Sequence, residues 1–257
     1  MKKNIFVLTS LMLTLGCGCD SFLDETNYSD VTSEGGYYDT EAGLNAVVNA
    51  CYTPLRFWAG KEDAIGLSET GTDIIAAGSG CVDNNMAAYT QSLDGTNSAC
   101  TFYFDRFYAA INWCNTAIFH AQTVPNPSND EILATTLNKR EAEARVLRTF
   151  YYWILTETFG DIYYTDQPST SIVMNPVKTS TDNIYQYMFD DLDWAIKSKL
   201  STLQNDGGRV TIWTAKALKA RLLLTRASEK NDVDMYGQAY DLAKDVIAQS
   251  KSSNIYW

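Results

Sequence analysis

The sequence predicts an all-α fold of stacked helical hairpins, interrupted by one long irregular segment. Three observations predict it. Six stretches carry apolar residues at the 3.6-residue spacing of a helix face, and essentially none alternates like a strand. Gly, Ser, Thr, Asn and Asp concentrate between residues 66 and 96. The chain has 257 residues, 46% of them hydrophobic and 12% aromatic. That is enough apolar material for a sizeable core.

The first helix starts at Thr40, an N-cap residue with Glu41 in the first turn. Leu44, Val47, Val48, Cys51, Tyr52 and Leu55 mark its face, and Pro54 and Gly60 mark its end. Residues 66–96 are expected to be loop with at most one short strand. Long irregular segments in compact domains are usually functional. Asn97 to Gln122 is helical through Phe104, Phe107, Tyr108, Ile111, Cys114, Ala117 and Ile118. After Pro125 and Pro127, Ser128 or Asn129 is expected to cap a long helix, with Asp130 and Glu131 near its positive end. Gly160 closes that helix. Three more run from about Asp182 to Leu200, from Thr211 to about Ser228, and from about Asp234 to Ser250. Ala215, Ala217 and Ala220 allow close helix approach. Successive antiparallel hairpins of this kind build tetratricopeptide arrays.

The leading segment predicts export. Lys2 and Lys3 precede an apolar run, Ile5 to Leu15, followed by Gly16-Cys17-Gly18-Cys19. This pattern reads as a signal peptide over residues 1–18. The run is too short for a permanent membrane helix, which needs about twenty residues. A cysteine after small residues predicts lipoprotein processing, and both Cys17 and Cys19 fit. Residues 19–38 then form a tether, and residues 39–257 form the folded domain. Of the other cysteines, Cys100 and Cys114 share one helix. They stand about 21 Å apart at 1.5 Å per residue, so they do not pair with each other. An exported chain could oxidise Cys51, Cys81, Cys100 and Cys114, and four cysteines allow three pairings; four buried thiols is the preferred reading.

Charge and motifs narrow the chemistry. The net charge of −11 gives no drive toward phosphate backbones, which argues against nucleic-acid binding. The single histidine, His120, excludes a multi-histidine metal site within the chain. It is read as structural, and no metal or cofactor is expected. No phosphate loop, calcium loop or nucleophile elbow is present. Asp190, Asp191 and Asp193 read as a solvated helix face. Glu141 and Arg145 read as a surface i,i+4 pair. Nothing sets two carboxylates across a cleft as a glycosidase requires, so no enzyme is predicted.

The aromatic content points to carbohydrate. The chain holds six Trp and sixteen Tyr. Sugar C–H faces stack on such rings, while Asn, Asp and Arg satisfy the hydroxyls. The candidate binding residues are Trp58, Tyr89 and Tyr103, in or beside the irregular segment, with Asp83, Asn84 and Asn85 nearby. Tyr151, Tyr152 and Trp153 read as core.

Several stretches resemble the SusD/RagB family of glycan-binding surface lipoproteins. Cys19-Asp20-Ser21-Phe22-Leu23-Asp24 resembles the family's mature start, which favours Cys19 as the lipidated residue. Tyr37-Tyr38-Asp39-Thr40-Glu41-Ala42 resembles the approach to its first helix. The most specific match is Arg140-Glu141-Ala142-Glu143-Ala144-Arg145-Val146-Leu147-Arg148-Thr149-Phe150-Tyr151-Tyr152, followed by Phe159-Gly160-Asp161-Ile162. Gly208-Arg209-Val210-Thr211 and Ala215 to Leu222 match another signature. Asn27 departs from a common proline.

The resemblance implies a SusD-like helical fold, lipid-anchored on the cell surface at the outer membrane. It implies a protein that captures oligosaccharide or polysaccharide and delivers it to a TonB-dependent, SusC-like transporter without cleaving it. Family members are about twice this long, so the chain is expected to be the N-terminal half, ending at Trp257. The alternative is a helical scaffold that binds the transporter without sugar affinity of its own. The family's sugar contacts follow no motif and are not carried over to residues here.

Overall fold

The computed structural model describes residues 36–59, 62–78, 84–197, 200 and 208–252. The signal segment, Cys17, Cys19, Cys81 and Asp83 lie outside them. The compact unit runs from Tyr38 to Trp257.

Its helices, in chain order, are α1 (Glu41–Tyr52), α2 (Leu55–Ala59), α3 (Glu62–Ser68), α4 (Asn84–Ala88), α5 (Ser98–Thr123), α6 (Glu131–Phe159), α7 (Thr181–Lys197), α8 (Ile212–Lys230) and α9 (Val233–Ser252). A two-residue strand β1 (Ile162–Tyr163) pairs antiparallel with β2 (Lys178–Thr179), Ile162 opposite Thr179. The fold is therefore the predicted all-α, tetratricopeptide-like stack, with two small corrections. One is this strand pair, too short to show any alternation. The other is that the irregular segment contains α3 and α4 and no strand among its described residues. No described helix is long and apolar enough to cross a membrane.

The caps follow side-chain chemistry. Thr40 Oγ1 accepts the Gly43 amide at 3.0 Å. Thr211 and Thr214 close a reciprocal capping box at the start of α8. Asp130, rather than Ser128 or Asn129, caps α6, its carboxylate accepting the amides of Ile132 and Leu133. A carboxylate is the better acceptor at a positive helix end. Asn129 instead takes a left-handed turn, with φ +52°.

α5 packs on α6, α6 on α7, α7 on α8, and α8 on α9, while α1 lies across α5 and α6. Leu44, Val48, Phe107, Ile111, Tyr151, Leu155, Ile184, Leu192 and Leu222 fill the centre. Ala215 and Ala220 are buried as expected, but Ala217 faces outward. His120 is buried and structural, its Nδ1 2.7 Å from Asp39 Oδ1.

The charged stretch of α6 is a buried network, and here two sequence expectations are corrected. Asp191 is 5% exposed and not solvated. Arg148 Nε and Nη2 reach its two oxygens at 2.8 Å each, and Arg148 Nη1 donates to Asn115 Oδ1 at 2.7 Å. Glu141 is also buried, bonded by Arg145 and by Gln122 Nε2 at 2.8 Å. Arg145 then reaches Asp191 at 2.6 Å. Glu143, 3% exposed, accepts from the Tyr52 hydroxyl at 2.7 Å, from Arg209 Nη1 at 2.7 Å and from Arg140. Charges this deep persist because each is paired and hydrogen-bonded. Burial alone would lower the Arg148 pKa, but the Asp191 charge and its hydrogen bonds raise it overall.

Candidate functional site: an aromatic cleft

One face of α6 borders both the core and an open cleft. Phe150, Trp153, Ile154, Glu157 and Thr158 recur at helical spacing and line a cleft of about 1120 Å³. The first turns of α5 contribute Cys100, Thr101 and Phe104. The end of α3, then Met86 and Tyr89, then the turn at Leu93–Gly95, form the opposite wall. Trp58 from α2 and Arg221 from α8 complete it.

The rings are held by one another. Phe104 meets Phe159 edge-on at 5.3 Å. Phe150 meets Trp153 edge-on at 5.9 Å. Arg221 lies over the Trp153 indole, its guanidinium carbon 5.2 Å from the ring centre. Trp58 rests edge-on against Tyr103 at 5.7 Å. Tyr89 is 70% exposed at the mouth, on a backbone with φ +48°. Side chains rarely adopt that conformation outside turns and functional sites.

The polar groups are oriented by local bonds. Asp94 Oδ1 accepts the Thr96 hydroxyl and amide at 2.7 and 2.8 Å, and these bonds hold its carboxyl below the usual carboxylate range. Glu157 accepts the Tyr185 hydroxyl. Burial, and then that bond, push the Tyr185 phenol up. Thr70 and Ser68 hydroxyls donate back to helix carbonyls, which leaves oxygen lone pairs facing out. Rings flanked by fixed acceptors can hold an amphipathic, hydroxyl-rich ligand. No group of three or more His, Cys, Asp or Glu suited to a metal occurs among the described residues.

Two sequence candidates, Trp58 and Tyr89, meet in this cleft. Tyr103 does not line it. It is 1% exposed, donates to the Phe57 carbonyl at 3.0 Å and supports Trp58 from beneath. Asn85 accepts the Thr90 hydroxyl at 2.6 Å and stands outside the lining. Asn84 begins α4, and Asp83 lies outside the described residues. Sequence reasoning did not single out Phe104, Phe150, Phe159, Glu157 or Arg221, and Trp153, read as core, packs against the core while also lining the cleft. The helical recurrence of Phe150, Trp153 and Ile154 with Glu157 was the available signal.

Comparisons with known proteins agree with this architecture. A SusD-like family, described as starch-binding and associating with the outer membrane, matches residues 72–255. A SusD-like protein from Bacteroides ovatus is 26% identical over 242 residues, covering 90% of this chain and 41% of its own. SusD-like protein P2 from Formosa agariphila is 27% identical, covering 88% of this chain and 44% of its own. The chain thus spans less than half the length of these relatives. A SusD homologue from Bacteroides thetaiotaomicron superposes with a TM-score of 0.68 at 21% identity, over 82% of this chain and 41% of its own. A laminarin-binding SusD-like protein does so at 0.61 and 20% identity, over 79% and 42%. With a family match across most of its length and the same helical stack, the chain belongs to the SusD-like (SusD/RagB) family.

Proposed function

We propose that this chain captures a glycan in its aromatic cleft and delivers it, uncut, to a TonB-dependent outer-membrane transporter. The observation that carries the reading is the cleft itself: six aromatic side chains, Trp58, Tyr89, Phe104, Phe150, Trp153 and Phe159, interleaved with fixed acceptors. Ring faces take the apolar face of a pyranose, and the acceptors take its hydroxyls. The laminarin-binding relative of the same fold supports a carbohydrate ligand. The family's association with the outer membrane supports a lipid anchor at Cys19 and a place at the cell surface, beside a SusC-like partner.

Affinity electrophoresis of the full chain in gels containing laminarin, xyloglucan or starch tests it. Retardation by at least one glycan, lost in Trp153→Ala together with Trp58→Ala, is the expected result. Unretarded migration on all three overturns capture and leaves the scaffold reading. Release of reducing ends overturns delivery without cleavage.

A further inference from the structure

We propose that the cleft selects neutral glycans and turns away those bearing uronate or sulfate groups. This rests on the capture reading above and adds the charge class of the ligand. Three carboxylates, Glu69, Asp94 and Glu157, line the cleft against one cation, Arg221.

Among the described residues, no salt bridge holds any of the three carboxylates. Asp94 is fully exposed and held ionised by the Thr96 amide and hydroxyl, which are neutral donors. Glu157 is bonded by the Tyr185 phenol, again a neutral donor. Glu69 follows the last turn of α3 and is exposed. Among the described lining residues one is a cation, Arg221, stacked over the Trp153 indole, so the carboxylates outnumber it. The chain's net charge of −11 sets a background of the same sign.

A carboxylate accepts readily from sugar hydroxyls. Against a uronate or a sulfate ester it has nothing to accept and a like charge to repel. All three carboxylates are solvent-exposed, so the repulsion acts through water and is screened by salt. The arrangement costs a neutral sugar nothing, since its hydroxyls rotate to donate.

The test pairs each neutral probe with its own charged derivative. Laminarin, xyloglucan and starch are compared with the same glycans after partial oxidation of their primary hydroxyls to carboxylates. Affinity of the full chain is measured at low and at about 0.5 M salt, where the screening length falls to a few ångströms. The expected result is binding of a neutral glycan and at least about tenfold weaker binding of its oxidised form at low salt. That gap narrows at high salt, and it narrows at low salt in the Glu69→Gln/Asp94→Asn variant. Equal or tighter binding of the oxidised form overturns the proposal. A gap unmoved by salt and by the variant also overturns it, since discrimination would then come from shape. Failure to bind any neutral glycan overturns capture itself.

Discussion

Gly71 and Tyr89 lie so close that a β-carbon added at Gly71 would stand 3.0 Å from both the edge and the hydroxyl oxygen of the tyrosine ring. Both residues have positive φ, +82° and +48°. A glycine tolerates this, and its missing side chain makes room for the ring. The exposed tyrosine is thus seated on the backbone of the facing loop. Gly71→Ala should unseat it. The variant should also lose about 1–2 kcal/mol, the cost of a left-handed L-residue. Glycan affinity should fall about threefold to tenfold, matching Tyr89→Ala, because a ring contact contributes about 0.5–1.5 kcal/mol beyond its area. Titration calorimetry on both variants checks this. Full affinity in Gly71→Ala beside a loss in Tyr89→Ala would show that the glycine does not position the ring.

Arg148 and Asp191 join α6 to α7 through a two-pronged contact in the interior. Asp191→Leu strands the Arg148 guanidinium in the interior and should cost about 3–5 kcal/mol. Arg148→Met should cost less, because Asp191 keeps its bond from Arg145. The double variant should recover most of the loss, because both charges leave together. Arg145 keeps Glu141 in that double variant, so no second charge is stranded. Urea unfolding of the four proteins measures the coupling. Additive losses would show that the pair is not a unit.

Much of this fold is written locally. Thr40 and Thr211 announce helix starts through hydroxyls that serve amides three residues on. The long helices show their period over many turns. Asp191 is different. By sequence it is one of three aspartates on a helix, and only Arg148 and Arg145, 43 and 46 residues earlier, make its burial tolerable. That pairing is a fact of packing, and no local pattern carries it. The cleft hid for a related reason. Trp153 packs against the core and also lines the cleft, and no local pattern separates the two roles. Short α3 and α4 hold too few turns to display a period. The charged residues of α6 were legible through family resemblance, but their role as interior ties was not.

Cys51 on α1 and Cys114 on α5 meet in the core, both fully buried. Burial, and then the hydrogen bond that the Cys114 thiol donates to Cys51, push the Cys114 thiol well above its ordinary range. The thiolate is the reactive form, so the native pair should be inert. At pH 8 neither should react with a thiol-specific disulfide reagent, and both should react once urea unfolds the chain. Peptide mass mapping identifies the labelled positions. Labelling of Cys114 in the folded protein, at the rate of an exposed thiol, would contradict the packing of α1 on α5.

Tyr151, Tyr152 and Tyr185 make the last prediction, a sharp loss of stability in alkali. All three are at most 2% exposed, and burial raises each phenol above its ordinary value. Their hydroxyls are already committed: Tyr151 donates to the Cys51 carbonyl at 2.6 Å and Tyr152 to the Thr165 carbonyl at 2.7 Å. A raised native pKa means that the folded state keeps a proton the unfolded state gives up. The stabilisation is therefore complete below about pH 10, the ordinary phenol value, and is lost as pH climbs from there toward the native value. Each tyrosine removes about 1.4 kcal/mol per pH unit across that window, so three suffice to unfold a domain of ordinary stability within one or two units. Phenolate absorbance and helical circular dichroism, followed together through a pH titration, should then show two stages. In the first stage phenols open to solvent ionise while the helices stay intact. The buried set follows in one cooperative step with the loss of helix. Smooth ionisation of every tyrosine in a still-helical protein would mean that solvent reaches these hydroxyls, and the interior described here would be wrong.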